Sequence, residues 1–273
     1  MSLESLVEQR NHSLALVEGI HAPESLTRTR QLVIQLAARS YGHEYGRDHP
    51  PEYIMHQGQV ATGTGELLID TSVETQRRGQ FLAWTHDIGR AVDMGPNHPI
   101  AGARMLRALG FDESVVTFAL AHHRWGLGEK TVANGNYPGR AKKALEEGRV
   151  TEFLDESVEK YGIESLAVLL ADNSKALLTP GSFEPTIVPF TEELGYSLID
   201  SQISRGRFER GGYRHGVEVT GMKFLLAVIP YLEEKLGIHY TDAIARARDQ
   251  WERDRAELVT LWNDIAHGQH TTG

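Results

Sequence analysis

The chain contains no cysteine, and this absence excludes several classes of site. Disulfide bonds, thiolate nucleophiles, iron–sulfur clusters and cysteine-ligated zinc sites all depend on a residue that none of the 273 positions supplies. A metal site in this protein must therefore use nitrogen and oxygen ligands. The absence also suits a reducing compartment, and we expect a cytoplasmic protein.

The sequence also lacks an excess of positive charge and a long hydrophobic run. Its formal net charge of −9 argues against a basic surface that binds duplex nucleic acid. A local cationic pocket can still bind a small anion. The longest apolar stretch, MKFLLAVIPYL, is too short to span a bilayer and contains a proline. The acidic first 21 residues do not resemble a signal peptide. We therefore expect no membrane partner.

Alternation of apolar and polar residues is missing as well, so no β-strand is predicted. Apolar residues instead recur at spacings of three and four positions, which predicts an all-α fold. Ser25 and Asp112 are typical helix N-caps, and Gly110 is a typical helix end. Segments 126–140 and 179–216 are punctuated by glycine and proline and are predicted to be irregular. The predicted helices span 25–41, 51–68, 74–89, 98–110, 112–125, 162–178, 220–237 and 240–266.

Thirteen histidines are present, and five of them stand beside apolar residues on predicted helices or at helix ends. Two aspartates, Asp87 and Asp172, occupy similar positions. Taken singly, each residue is best explained as a satisfied core residue or a helix cap. Burying them together without partners would cost about 2 kcal/mol or more per group, and convergence on a metal is one economical solution. The five histidines are His56, His86, His98, His122 and His123.

The doublet His86-Asp87 follows an apolar run in FLAWTHDIGRAV (81–92). Consecutive helix residues point about 100° apart, so two adjacent ligands need a helix end, which Gly89 is predicted to supply. Imidazole and carboxylate groups without thiolates suit iron, manganese, zinc, cobalt or nickel, and carboxylate-rich sets suit magnesium.

The order of these residues resembles that of the HD-domain superfamily of metal-dependent phosphohydrolases. The series starts at His56 and continues through HDIG, HP in HPIAGARML, and AHH to LLADNSKALL around Asp172. It covers roughly residues 52–178, about half of the chain. The HD doublet alone is a weak signal, whereas the ordered series with these flanking residues is a strong one.

The resemblance implies an all-α HD-domain helical bundle with extensions at both ends. We expect an N-terminal helical extension at 1–50 and the metal-binding core at 51–180. Residues 181–273 would form a lid-like loop and C-terminal helices, packed with the core as one globular unit. The long last helix carries Trp251, Leu258 and Trp262, which could serve a homo-oligomer interface, but packing on the chain's own core is the simpler interpretation.

The resemblance also implies a site for two divalent metal ions, such as iron, manganese or another transition metal. Two metals about 3.5–4 Å apart can bridge a water, lower its pKa and clamp a phosphoryl group. The implied function is hydrolysis of a phosphate ester of a small metabolite, a nucleotide or related compound, by a metal-bridged hydroxide. The implied ligands of the first metal are His56, His86, Asp87 and Asp172; Asp87 would bridge to a second metal held by His98 and His122, with His123 as a further candidate.

Cations are needed to stabilise the charge that develops on phosphoryl oxygens. Arg90 stands where many relatives have lysine, which implies a catalytic role in holding phosphate. Lys175 lies one turn after Asp172 and is a second candidate for catalysis, with a solvated helix residue as the equal alternative. For the basic run at 204–216, a solvated loop is the simpler interpretation and a phosphate-gripping lid the functional one. The candidate substrate-binding residues are Arg124, Arg207 and Arg210.

Other functions remain open at this point. Some HD-domain proteins hold two irons of mixed valence and use dioxygen, with nearly the same ligands. The segments HHRW and NGNYPGR are similar to the HD-GYP subgroup, which hydrolyses cyclic dinucleotides. Two features differ from that subgroup: Arg124 stands where an acidic residue is expected after the double histidine, and the insertion GLGEKTVA separates the two segments. A third possibility is a non-catalytic, metal-stabilised binding module. No GxSxG or P-loop sequence supports a serine hydrolase or a Walker-type NTPase.

Overall fold

A computed structural model of the protein describes residues 3–41, 50–94, 97–122, 140–174, 227–266 and 268. Its described part consists of helices joined by turns and contains no β-strand, which confirms the all-α prediction. The helices are α1 (Leu3–Leu16), α2 (Leu26–Tyr41), α3 (Glu52–Leu67), α4 (Val73–Thr85), a 3₁₀ helix (Ile88–Ala91), α5 (His98–Leu109), α6 (Glu113–Ala121), α7 (Arg140–Glu146), α8 (Val150–Tyr161), α9 (Ile163–Ser174), α10 (227–236 in its described part) and α11 (Tyr240–Ala266).

Local sequence signals place several helix ends where they were predicted. The Asp112 carboxylate accepts a hydrogen bond from the Ser114 backbone N–H at 2.7 Å, and Ser25 Oγ accepts one from Arg28 N–H at 3.3 Å. These caps satisfy backbone donors that the first turn of a helix leaves unpaired. Gly110 ends α5 in the left-handed conformation with φ of 85°, which costs glycine no steric strain.

Helix α3 lies at the centre of the fold and packs against α4, α9 and α11. Gly58 brings α3 close to α11, because a Cβ atom at this position would lie 2.8 Å from Leu258 and 2.9 Å from Trp251. Trp251, Leu258 and Trp262 are at most 2% exposed. The last helix therefore packs on the chain's own core, as its apolar pattern favoured.

Helix α5 forms a second packing layer with the 3₁₀ helix, α6 and α1. Its contact with the 3₁₀ helix is exceptionally close. A Cβ atom on Gly89 would lie 1.9 Å from the His98 carbonyl oxygen and 2.4 Å from the Gly102 nitrogen. Glycine is therefore required at position 89 by close backbone approach. Gly89 does not supply the helix end that we predicted, because α4 already ends at Thr85.

The sequence pattern did not identify two helices in the middle of the chain, α7 and α8. Helix α8 follows Gly148, which has φ of 68°, and buries Phe153 and Leu154. The predicted irregular segments lie outside the described residues, apart from Arg140, which begins α7. Within the described ranges, no helix is both long enough and apolar enough to cross a membrane.

Candidate metal centre

The His86-Asp87 doublet lies at the junction between α4 and the 3₁₀ helix. Helix α4 ends at Thr85, and His86 keeps helical angles as its C-cap, whereas Asp87 leaves them with φ of −106° and ψ of 15°. This change of backbone angle allows two adjacent side chains to reach one place, as the helix-end argument predicted. Both residues are 1% exposed.

Three other helices deliver histidines to the Asp87 carboxylate. His56 lies within α3, His98 is the first residue of α5, and His122 is the C-cap of α6. All three are buried, with exposed fractions of 9% or less. The structure therefore brings together His56, His86, Asp87, His98 and His122, residues that are up to 66 positions apart in the sequence.

The two oxygens of Asp87 face different histidines. Oδ1 lies 2.8 Å from His98 Nε2 and 3.2 Å from His122 Nε2. Oδ2 lies 3.4 Å from His56 Nε2 and 3.7 Å from His86 Nε2. The cluster thus divides into two trios that share Asp87, and within each trio the candidate ligand atoms lie within 4.8 Å of one another.

These distances suit ligands arranged around metal ions. Two ligand atoms that each lie about 2.1 Å from one metal, at coordination angles of about 90–110°, are about 3.0–3.4 Å apart. Several of the measured separations fall in or near this range. His86 Nε2 is buried and makes no hydrogen bond among the described residues. A metal ion would satisfy this atom, so the residues present fit a metal.

Backbone carbonyls fix the orientation of two of the imidazole rings. His86 Nδ1 lies 2.7 Å from the Ala83 carbonyl oxygen, and His122 Nδ1 lies 2.6 Å from that of Ala119. In both cases the carbonyl belongs to the residue three positions earlier, near the end of the preceding helix. A proton on Nδ1 leaves the lone pair on Nε2, the atom that faces Asp87. Sequence reasoning missed these contacts, although a histidine at the C-cap of an apolar helix was their signal.

The electrostatics of the centre favour the protonation states that bind metal. Burial lowers the pKa of His86 to about 4, against the opposing effect of the Asp87 charge. Burial alone would raise the pKa of Asp87, but the charge of His86 and the contacts with His122, His56 and His98 hold it well below its usual value. At neutral pH the centre therefore combines an ionised carboxylate with a neutral His86 imidazole.

Arg90 lies against Asp87 and not in an open position facing solvent. Its Nε donates to Asp87 Oδ2 at 2.5 Å, and its Nη1 donates to the Met94 carbonyl oxygen at 3.4 Å. Its side chain is 25% exposed. A charge-assisted hydrogen bond of this kind orients a ligand carboxylate from outside the metal's own coordination sphere. The phosphate-holding role expected of Arg90 stays a prediction.

Asp172 marks the more open side of the centre. Its Oδ1 lies 3.1 Å from His56 Nε2, and its side chain is 28% exposed, compared with 2% for that of Asp87. It is adjacent to the trio of His56, His86 and Asp87, the residues with which the family resemblance grouped it. The other predicted site residues lie outside the described residues: His123, Arg124, Lys175, Arg207 and Arg210.

One supporting contact of the centre had no signal in the sequence. Gln9 on α1 donates a hydrogen bond to Asp93, just after the 3₁₀ helix. It ties the N-terminal helix to the segment that carries Asp87 and Arg90.

Comparisons with known proteins leave the family of the chain open. No family model matches it, and no solved structure matches it. An uncharacterised protein of Methanocaldococcus jannaschii is 41% identical to it over 58 residues. That match covers 21% of this chain and 32% of the relative, so the chain aligns with about a third of that protein's length.

Proposed function

We propose that this protein is a metal-dependent phosphohydrolase of the HD-domain type that acts on a phosphate ester of a small metabolite, such as a nucleotide or related compound. One observation carries the proposal: both oxygens of the buried Asp87 carboxylate face histidine nitrogens from different helices. The resemblance of the ordered histidine and aspartate series to HD-domain proteins supports the reaction class.

The two trios around Asp87 support a site for two metal ions. His98 and His122 would hold one ion together with Oδ1, and His56 and His86 would hold the other together with Oδ2. The ligand set lacks thiolates, which favours iron, manganese or another transition metal. When bound, two such ions supply a water of lowered pKa and neutralise charge on a phosphoryl group.

The protein's own groups hold this centre rigid. Backbone carbonyls orient His86 and His122, and Arg90 orients the Asp87 carboxylate through Oδ2. Rigid ligands reduce the reorganisation that the transition state would otherwise require. Asp172, whose Oδ1 lies 3.1 Å from His56 Nε2, would complete the ligands of the ion held by His56 and His86, as the resemblance implies.

The test is a phosphatase screen of protein that was purified without chelators. Nucleotides, cyclic nucleotides, cyclic dinucleotides and sugar phosphates are each incubated with manganese, iron, cobalt, nickel, zinc or magnesium. We expect metal-dependent release of phosphate, or opening of a phosphodiester, from at least one class, and no turnover by Asp87→Asn. Asp70→Asn is the matched control, because Asp70 is exposed in the turn after α3.

The same screen distinguishes the alternatives. Turnover of cyclic dinucleotides alone would identify a phosphodiesterase within the proposed class. Turnover that needs both iron and dioxygen, without hydrolysis under anaerobic conditions, would replace the proposal with a diiron oxygenase. Metal that is lost in Asp87→Asn, combined with phosphate-ester turnover equal to that of the wild type, would contradict an enzymatic role for the centre.

A further inference from the structure

A second polar region lies on the opposite half of α5 from the metal ligand His98. Arg10 and Leu14 of α1, together with Arg104, Arg107 and Ala108 of α5, line an open cavity of about 470 Å³. Ligand pockets in proteins typically have volumes of about 300–1,000 Å³. We call this cavity the arginine groove.

The three guanidinium groups of the arginine groove are only partly neutralised. Arg107 pairs with the exposed Glu113 through contacts of 2.5 and 3.3 Å. Arg104 is half-buried, and its Nη1 is fully buried without a hydrogen-bond partner in the described structure. Arg10 is exposed and forms no ion pair with any described residue. The groove therefore has three cations and one identified carboxylate.

This concentration of positive charge contrasts with the rest of the chain. The protein carries 37 acidic and 28 basic side chains. If these three arginines had only a structural role, we would therefore expect acidic side chains to pair with them. A buried guanidinium N–H without a partner is destabilising. The groove also exposes Leu14, which is 39% accessible, beside the charged groups. A bound anion would contact the guanidinium groups that line the groove and would cover this apolar surface.

We propose that the arginine groove is a binding site for a small soluble anion with at least two phosphate groups. Guanidinium groups bind phosphate oxygens through two parallel hydrogen bonds, and three of them exceed the need of a single phosphate. The Arg107–Glu113 pair is exposed to solvent and contributes little to stability, so it can give way to a ligand.

The groove is separate from the metal centre. Arg104 lies six positions after His98 on α5, a rise of about 9 Å along the helix axis. None of the groove's lining residues belongs to the two metal trios. The proposal therefore does not depend on the phosphohydrolase reaction, and a chain without hydrolase activity would still bind the anion here.

The experiment measures pyrophosphate binding to the full chain by isothermal titration calorimetry. Arg104→Met and Arg10→Met each remove one guanidinium group. Arg104→Lys keeps the positive charge but loses the planar group with its parallel N–H donors. Arg28→Met is the matched control, because Arg28 is exposed on α2 and outside the groove. Asp87→Asn separates groove binding from binding at the metal centre.

We expect pyrophosphate to bind the wild type more tightly than inorganic phosphate does. Arg104→Met should weaken the binding by about tenfold or more, and Arg104→Lys by a smaller factor. Arg28→Met should retain wild-type affinity, and the part of the binding that depends on Arg104 should remain in Asp87→Asn. Circular dichroism verifies that each variant is folded, and if Asp87→Asn is not, the Arg104 and Arg10 variants decide the question.

Three results would overturn the proposal. The first is an absence of pyrophosphate binding at millimolar concentrations. The second is equal binding by the wild type, Arg104→Met and Arg10→Met. The third comes from phosphatidylcholine vesicles that contain phosphatidic acid: binding to these vesicles through Arg104, without pyrophosphate binding, would replace a soluble ligand by a lipid headgroup.

Discussion

Helix α3 takes part in two regions that are built on opposite principles. His56 faces the metal centre, whereas Gly58, two positions later and so on roughly the opposite side of the helix, faces Trp251 and Leu258 of α11. The first region collects buried polar groups whose ligand atoms face one another. The second packs apolar side chains together and reaches close contact through the missing side chain of Gly58. The apolar contact between α3 and α11 therefore stabilises the fold, whereas the centre places groups together that could hold a metal ion.

The strongest way to test this contrast is to remove the charge at the centre of both trios. Asp87→Asn should lower phosphate-ester turnover by at least about a thousandfold, since metal ions contribute several kcal/mol of transition-state stabilisation. Turnover is measured with the best substrate of the screen, and metal content by elemental analysis. Asp70→Asn should behave like the wild type. Retained activity with retained metal would show that Asp87 is not the shared ligand.

The reciprocal change is made in the apolar region. Trp251→Ala should lower the free energy of unfolding by about 3–5 kcal/mol, because Trp251 is 2% exposed and its removal leaves a cavity against α3. Urea denaturation measures this change. The protein that remains folded should bind as much metal as the wild type. Val73→Ala is the control, since Val73 is 80% exposed and its truncation should change stability by less than about 0.5 kcal/mol.

The pH dependence of stability should come from the centre and not from the apolar region. Because burial lowers the pKa of folded His86 to about 4, the unfolded chain binds the extra proton between about pH 6.5 and 4. As pH falls from about 6.5 to 4, the stability of the metal-free protein should therefore fall by roughly 3 kcal/mol because of His86. Above this pH range the full contribution of His86 to stability is present. Urea denaturation of chelator-treated protein measures the effect.

His86→Asn should flatten this part of the profile, because asparagine does not titrate. The Trp251→Ala variant should keep the wild-type slope at lower overall stability. An unchanged slope in His86→Asn would show that another group carries the pH dependence.

One substitution should affect both properties at once. Gly89→Ala would place a Cβ atom 1.9 Å from the His98 carbonyl oxygen, and because the obstacle is backbone it cannot rotate away. We expect a loss of about 1–3 kcal/mol in stability together with weaker metal binding, since His98 must move. Gly65→Ala is the matched control, because its Cβ would meet only the flexible end of Gln80. Equal metal affinity in Gly89→Ala would show that the 3₁₀ helix does not position His98.

Much of this architecture could be predicted from the sequence. The helical period and the caps at Ser25 and Asp112 located most helices, because these signals are local. The candidate metal ligands were recognisable because polar residues ended apolar runs in an order that resembles HD-domain proteins. The sequence could not predict which helices touch. Gly58 and Gly89 lie in ordinary local patterns, and their importance depends on neighbours distant in the chain. The Arg90–Asp87 contact likewise depends on side-chain geometry.

Metal content decides whether Asp87 and the four histidines around it hold metal ions. Protein purified without chelators is analysed by inductively coupled plasma mass spectrometry, beside Asp87→Asn and Asp70→Asn prepared in the same way. We predict about two transition-metal ions per chain in the wild type and in Asp70→Asn, and a loss of both in Asp87→Asn. A folded wild-type chain that holds no metal, and takes up none from iron, manganese, cobalt, nickel or zinc, would contradict the account.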